Sequence, residues 1–260
     1  MRLTFLGTGS IIPTTNRFSS AILLEIGNDR LLLDCGPGTL EKLRRVGVDP
    51  NTISRLLLTH YHIDHVLDLP AMVKLRAFDR SGGPSQNPLH LRVYGPLGLN
   101  TLIRYLFEEI PQFRYISENL SCFKYIELKE VTKGLVEETS TLRIKCTPVK
   151  HYDGVAYRID AEGKSLVYSG DTVPDENLIE FAKHADVLIH ECSFPDEQLL
   201  GLHTSEKGLA EVAAKVRPRL LIPVHLYPAW EGREYELKIL LTKAFNGSVI
   251  VPKDLESYEI

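Results

Sequence analysis

Long apolar runs and paired cysteines are both lacking in this sequence of 260 residues. No stretch approaches 18 consecutive apolar residues, so we expect no transmembrane helix. The start of the chain has neither the cationic segment nor the apolar run of a signal peptide. The four cysteines are scattered without a Cys-x-x-Cys spacing, which is typical of a protein with reduced thiols. We therefore expect a cytoplasmic protein with no membrane partner.

The sequence also has no excess of positive charge. Its 30 Lys and Arg residues are outnumbered by 34 Asp and Glu residues, and the net charge is −4. A dedicated nucleic-acid binder usually carries a strongly basic surface, which this balance does not indicate. A nuclease is not excluded, because metal ions and a local basic patch can hold phosphates.

Linkers and low-complexity segments are absent too, so one domain spanning residues 1–260 is the simplest interpretation. Short apolar runs, among them Phe123–Leu128, are typical of strands. Helical periodicity alternates with the later runs, and Asp175, and Thr204 or Ser205, are expected to cap two of the helices. This order predicts a mixed α/β (α+β) fold of two packed sheets with helices outside.

Four apolar runs end on residues that can bind metal or move protons. They are RLLLTH, SLVYSGD, DVLIHE and RLLIPVH, which end on His60, Asp171, Glu191 and His225. Strand ends held by a sheet place side chains more accurately than free loops do. If these ends gather at one edge, they form a site with several ligands.

The strongest chemical signal is a His-x-His-x-Asp-His motif formed by His60, His62, Asp64 and His65. In an extended segment, side chains at i and i+2 point the same way, so His60 and His62 can hold one ion. Asp64 and His65 follow on a turn and can face a second ion. The alternative is a set of solvated or core histidines, but this four-residue pattern rarely arises by chance.

This motif resembles the hallmark of the metallo-β-lactamase superfamily, and the resemblance covers nearly the whole chain. The segments LTFLGTGS and LLLDCGPG are similar to the start of that fold. His151 after a later strand, Asp171 in a Ser-Gly-Asp setting and His225 after a late strand match the remaining ligand positions in order. The resemblance implies a four-layer αββα sandwich with the site at one edge of both sheets.

The resemblance also implies two divalent metal ions per chain. His60, His62 and His151 would hold one ion, Asp64, His65 and His225 the other, and Asp171 would bridge them. Imidazole and carboxylate ligands without thiolate suit zinc, with manganese or iron as alternatives. A hydroxide shared by the two ions would be the nucleophile, and Asp64 is therefore counted among the catalytic residues as well.

Asp34, near the end of an early strand, is expected to orient a ligand histidine from behind the metal site. A turn-capping aspartate before Gly36 is the alternative interpretation.

Glu191 and His203 point to one branch of the superfamily. His190-Glu191 followed by His203-Thr204 is similar to the His-Glu-Ala-Thr segment and downstream histidine of ribonuclease Z proteins. A carboxylate that hydrogen-bonds one imidazole nitrogen raises the basicity of the ring and fixes its tautomer, so the other nitrogen can donate to a phosphoryl or leaving oxygen. A helix-start histidine beside a surface glutamate is the alternative.

Two further segments leave their role open. Residues 13–17 resemble, imperfectly, a substrate-contacting loop of the ribonuclease Z branch, or are an ordinary turn. Residues 105–115 are either a lid over the site or part of the core. One departure is large: only residues 152–170 separate His151 from Asp171, where typical ribonuclease Z proteins insert an arm that grips tRNA.

The leading hypothesis is a dinuclear zinc phosphodiesterase or ribonuclease Z-like endonuclease that acts on RNA or a nucleotide. The alternative substrate is a small molecule: a cyclic nucleotide, a lactone, or an aryl sulfate or phosphate ester. A metal-stabilised binding protein without turnover is the more remote alternative, since such a protein would not need Glu191 and His203. The resemblance also suggests a homodimer.

Overall fold

The strands form two seven-stranded sheets in a computed structural model that describes residues 1–86, 88–245 and 247–260. In chain order the strands are β1 (Arg2–Gly7), β2 (Ala21–Ile26), β3 (Asp29–Leu33), β4 (Arg55–Leu57), β5 (Leu91–Gly95), β6 (Ile126–Glu130), β7 (Gly134–Glu138), β8 (Leu142–Pro148), β9 (Val155–Ala161), β10 (Lys164–Tyr168), β11 (Val187–Glu191), β12 (Leu220–Val224), β13 (Ser248–Val249) and β14 (Ser257–Glu259). The α-helices are α1 (Thr39–Arg45), α2 (Ile63–Val66), α3 (Leu69–Leu75), α4 (Leu99–Arg104), α5 (Tyr115–Asn119), α6 (Glu176–Ala182), α7 (Glu206–Val216) and α8 (Glu234–Ala244). Short 3₁₀ turns cover Pro50–Thr52, Ser121–Tyr125, Asp196–Gln198 and Pro228–Trp230, and a π-helical turn covers Tyr105–Glu109.

Each sheet has a parallel half that carries the site. The strand order is β14-β1-β2-β3-β4-β5-β6 in the first sheet and β13-β12-β11-β10-β9-β8-β7 in the second. Strands β3 to β6 pair in parallel, as do β10 to β13, while the remaining neighbours are antiparallel. The carboxyl ends of β3, β4, β10, β11 and β12 therefore lie at one edge of their sheets.

Alternating side chains divide the core into three layers. Leu31 and Leu33 of β3 lie in the cluster between the two sheets, whereas Leu32 faces the cluster under α1, α3 and α4. In the second sheet Ile189 faces its partner sheet and Leu188 faces the layer of α6 to α8. Strands buried on both faces need such continuous apolar runs. The predicted αββα sandwich is confirmed.

The predicted helix caps are present. The Asp175 carboxylate accepts a hydrogen bond from the backbone N–H of Asn177 at 3.2 Å, and the Ser205 hydroxyl accepts one from Gly208 at 3.3 Å. Ser205 rather than Thr204 is thus the cap of α7. The strand predicted over residues 123–128 begins only at Ile126, because a 3₁₀ turn covers the preceding residues.

One glycine allows the two sheets to approach each other closely at the site edge. Gly170 follows β10 with φ +59°, and a Cβ there would lie 2.6 Å from the Cβ of Thr59. An alanine would therefore clash, and its backbone would be strained as well. The close approach brings Asp171 next to the residues that follow β4. Within the described residues, no helix combines the length and apolarity needed to cross a membrane.

Candidate metal centre

The predicted ligands meet where the strands end. His60 and His62 follow β4, Asp64 and His65 lie on the short helix α2, His151 follows β8, Asp171 follows β10 and His225 follows β12. Their potential ligand atoms lie within 4.8 Å of one another in three overlapping groups: His60, His62, His151 and Asp171; Asp64, His65 and His225; and Asp171 and His225 with His203. The structure thus brings the seven predicted ligands together and places His203 beside two of them.

Asp171 lies between the two groups. One carboxylate oxygen is 3.6 Å from Nε2 of His65, and the other is 3.7, 3.9 and 3.3 Å from Nε2 of His60, His151 and His225. Burial alone would raise the pKa of Asp171, but the imidazoles of His225 and His65 hold it well below its usual value. The central group is therefore a carboxylate that faces several imidazoles.

Two buried imidazole nitrogens fit a cation. Within the described residues, Nε2 of His60 and Nε2 of His65 have no hydrogen-bond partner. A buried nitrogen without a hydrogen-bond partner destabilises the folded protein. A metal ion would supply the missing partner, because grouped imidazoles and carboxylates are typical metal ligands. Burial and the neighbouring His65 lower the pKa of His60 well below its usual value, so its ring is neutral and its lone pair is available. The donor set therefore fits divalent metal ions.

Asp34 orients predicted metal ligands without being one of them. Its carboxylate accepts hydrogen bonds from the His65 ring at Nδ1 (2.8 Å), from the backbone N–H and hydroxyl of Thr59 (2.8 and 2.9 Å) and from the Tyr168 hydroxyl (2.8 Å). The Thr59 hydroxyl in turn lies 3.0 Å from Nδ1 of His60. Asp34 is fully buried and has φ +58°, an uncommon conformation for a residue other than glycine. It lies where its predicted orienting role requires.

Glu191 occupies the corresponding position at the end of β11. Its fully buried carboxylate accepts from the backbone N–H groups of Thr172 (2.6 Å) and Thr204 (3.0 Å), and from Nδ1 of His203 at 3.1 Å. Burial would lower the pKa of His203, but the hydrogen bond and the charge of Glu191 outweigh burial and raise it. The structure therefore pairs Glu191 with His203, and this pair adjoins Asp171, which is 4.0 Å from His203.

Comparison with known proteins decides the family. The profile of the family described as Anti-Pycsar protein Apyc1 matches residues 1–236. The chain is also 30% identical over 278 aligned residues to the ribonuclease Z of Mycobacterium avium (strain 104), an alignment covering 100% of this chain and 98% of that protein. The chain therefore belongs to the anti-Pycsar protein Apyc1 family and is ribonuclease Z-like.

Solved structures agree on the fold of this ribonuclease Z-like chain. The metallo-β-lactamase fold protein YhfI from Bacillus subtilis superposes with a TM-score of 0.80 at 22% identity, covering 99% of this chain and 98% of that one. The short form of human tRNase Z superposes with a TM-score of 0.78 at 21% identity, covering 100% and 99% of the two chains. The predicted superfamily is confirmed, and the chain is a metal-dependent hydrolase.

Ser193 was not singled out from the sequence of this ribonuclease Z-like hydrolase, yet it joins two parts of the site. Its hydroxyl donates to Glu191 at 2.6 Å and lies 2.9 Å from Nδ1 of His225. Because the hydroxyl proton goes to the carboxylate, His225 must donate its Nδ1 proton to Ser193, which leaves Nε2 free. Thr59 makes the same link between His60 and Asp34. The sequence signal that could have identified Ser193 is a hydroxyl-bearing residue two positions after Glu191.

Each of the two open segments is anchored to the body of the protein by a buried residue. Arg17 is 3% exposed and donates to the Thr8 hydroxyl at 2.7 Å, so residues 13–17 are a turn anchored in the protein. Phe107 is fully buried and packs against Phe123 with ring centroids 5.1 Å apart, whereas Tyr105, Phe113 and Tyr115 of the same segment are exposed. His190 donates to the backbone carbonyl of Glu191 at 2.7 Å.

Replacing Ser193 by alanine should weaken metal binding in this ribonuclease Z-like chain. The change removes the acceptor of His225 and a donor to Glu191, and loss of such an outer contact typically costs about 10- to 100-fold in metal affinity. Ser193→Thr keeps the hydroxyl and should stay close to the wild type. Competition with a chromophoric chelator measures the affinity.

The matched control is Ser165→Ala, which removes a buried serine hydroxyl that donates to Asp186 at 3.0 Å, away from the metal centre. This control should leave metal affinity unchanged. Equal affinities for Ser193→Ala and the wild type would show that the hydroxyl link has no influence on the predicted ligand.

Proposed function

We propose that this hydrolase is a dinuclear zinc phosphodiesterase. The observation that carries the proposal is the position of Asp171, whose carboxylate lies 3.6 Å from Nε2 of His65 through one oxygen and 3.7 Å from Nε2 of His60 through the other, so that it faces both ligand groups. Seven ligands are too many for one tetrahedral ion. His60, His62 and His151 would hold one ion, Asp64, His65 and His225 the other, and Asp171 would lie between them. Bound ions would polarise the phosphoryl oxygens and lower the pKa of a water molecule.

His203 is proposed to supply the proton that the leaving group needs. Hydrolysis forms a phosphorus–oxygen bond to water and breaks the bond to the leaving oxygen, which must then gain a proton. His203 is bound to Glu191 through Nδ1, so Nε2 is free to donate. Burial would lower the pKa of His203, but the hydrogen bond and the charge of Glu191 raise it above its usual value, which favours the protonated ring. Asp64 would act at the metal centre beside His225, whose Nε2 lies 3.3 Å away.

A small nucleotide is the substrate that the surroundings of this site favour. Between His151 and Asp171 the chain forms only the hairpin of β9 and β10, which are joined through Glu162 and Gly163. That hairpin offers no extended arm for tRNA, and the net charge of −4 does not favour a large polyanion. We therefore propose a phosphodiester of nucleotide size, such as a cyclic nucleotide, with RNA processing as the second candidate because the curated relatives are named ribonuclease Z.

A substrate panel tests this function directly. Zinc- or manganese-loaded enzyme is offered bis-p-nitrophenyl phosphate, cyclic nucleotides, a lactone and a tRNA precursor. We expect turnover of the phosphodiesters, loss of that turnover after dialysis against a chelator and recovery when metal returns. Hydrolysis of the lactone alone, or turnover that survives complete metal removal, would contradict the proposal.

The role of His203 is tested by substrates that differ in their leaving group. His203→Ala should lower kcat about 10²- to 10⁴-fold on a phosphodiester with an alcohol leaving group, the usual contribution of one positioned acid. With p-nitrophenolate, which leaves without a proton, the loss should be much smaller. Metal content should be unchanged, because the proposed ligand sets do not include His203.

Glu191→Gln is the partner variant for this experiment. The Glu191 carboxylate accepts hydrogen bonds from two backbone N–H groups. Glutamine has nearly the same shape and keeps one acceptor oxygen, so it disturbs the fold less than alanine would. It should reproduce the dependence on leaving group, and the double variant should be little worse than either single change, since the two groups act as a unit. His184→Ala, an exposed histidine, is the control. Equal losses on both leaving groups would make His203 a binding residue instead.

A further inference from the structure

A small cavity of about 240 Å³ lies beside the candidate metal centre. Its apolar walls include Pro96, Leu97 and Val131, while Lys133 and Asp153 bring one charge of each sign to its lining. Apolar walls with a few convergent polar groups are typical of small-ligand sites, and this volume lies below the range for drug-sized ligands. The cavity is therefore suited to a single planar ring.

Tyr152 stands between this cavity and the metal centre. It follows the predicted ligand His151 directly, and it also lines the cavity. Its ring centroid lies 4.9 Å from that of His62 at an interplanar angle of 72°, and 5.1 Å from that of His151 at 84°. A ligand seated against Tyr152 would thus be adjacent to the predicted ligands.

The exposure and the backbone of Tyr152 are both unusual for a tyrosine. The residue is 73% exposed although its ring contacts two imidazoles. Its φ is +46°, a left-handed conformation that strains a bulky residue and that tends to occur at functional sites. The fold therefore holds an aromatic ring at the mouth of the centre and leaves most of its surface open.

Phe194 and Tyr227, two further aromatic residues near the centre, do not offer such an open ring surface. Phe194 and Tyr227 stack on each other with centroids 4.2 Å apart, and Tyr227 also contacts His225 at 5.6 Å. Their facing ring surfaces are already covered. Tyr152 is thus the better platform for an incoming ring.

We propose that Tyr152 and this cavity form a subsite for the heteroaromatic base of a nucleotide. The base would stack on Tyr152, and Lys133 and Asp153 would meet its polar edge. The phosphodiester, which the sugar joins to the base, would then lie at the metal centre. This inference rests on the proposed phosphodiesterase function and names the part of the substrate that the chain recognises.

The test compares two substrates that share one leaving group. Thymidine 5′-p-nitrophenyl phosphate carries a base, and methyl p-nitrophenyl phosphate does not. Stacking of a base on an aromatic side chain contributes about 1–3 kcal/mol. Tyr152→Ala should therefore lower kcat/KM for the thymidine ester relative to the methyl ester by about 5- to 150-fold. Tyr152→Phe keeps the ring and should keep the preference.

A second readout does not depend on turnover. Binding of thymidine 5′-monophosphate to the metal-loaded enzyme, measured by calorimetry, should weaken by a similar factor in Tyr152→Ala, whereas binding of inorganic phosphate should change far less. Tyr235→Ala is the matched control, because Tyr235 is 77% exposed on helix α8 and lines neither the cavity nor the centre. This control should retain the wild-type preference and affinities.

The possible failures are distinguishable. If the wild type hydrolyses both esters and Tyr152→Ala lowers both equally, the base subsite is wrong while the phosphodiesterase function stands. If the wild type has no preference for the thymidine ester, the subsite is overturned in the same way. If the metal-loaded wild type hydrolyses neither ester, the proposed function and the subsite are overturned together.

Discussion

The site depends on one constraint: Nδ1 of His65 and Nδ1 of His225 are each tied to a buried acceptor, so that Nε2 of each ring faces Asp171. His65 and His203 donate directly to the carboxylates of Asp34 and Glu191, and His225 reaches Glu191 through the Ser193 hydroxyl. A buried carboxylate without partners would cost several kcal/mol. Here each carboxylate accepts several hydrogen bonds, so its burial orients the rings at little cost in stability.

The two sheets make equivalent contributions to this arrangement. Asp34 follows β3 of the first sheet and Glu191 ends β11 of the second, and each carboxylate holds one histidine directly and another through a hydroxyl. The ligands therefore rest on rigid strand ends rather than on free loops. The Glu191 half also carries His203, the proposed proton donor. The predicted metal ligands and His203 thus share one network of hydrogen bonds.

Much of this arrangement could be predicted from the sequence, because its signals are local. The motif from His60 to His65 is contiguous, and apolar runs that end on Asp171, Glu191 and His225 show where strands stop. The contacts of Ser193 and the exposure of Tyr152 depend on three-dimensional neighbours, which periodicity does not encode. The residues of β7 do not alternate clearly between apolar and polar, so the sequence does not predict a strand there. The strand forms because the neighbouring strand β8 offers an edge with which it pairs.

Two divalent ions are proposed to bind around Asp171. Anomalous X-ray scattering, recorded on either side of the zinc absorption edge from crystals of zinc-loaded protein, tests this proposal most directly. Two peaks per chain are expected about 3.5–4 Å apart, one beside His60 and His151 and one beside His65 and His225, with the Asp171 carboxylate between them. A single peak under saturating zinc, or a pair of peaks away from Asp171, would contradict it.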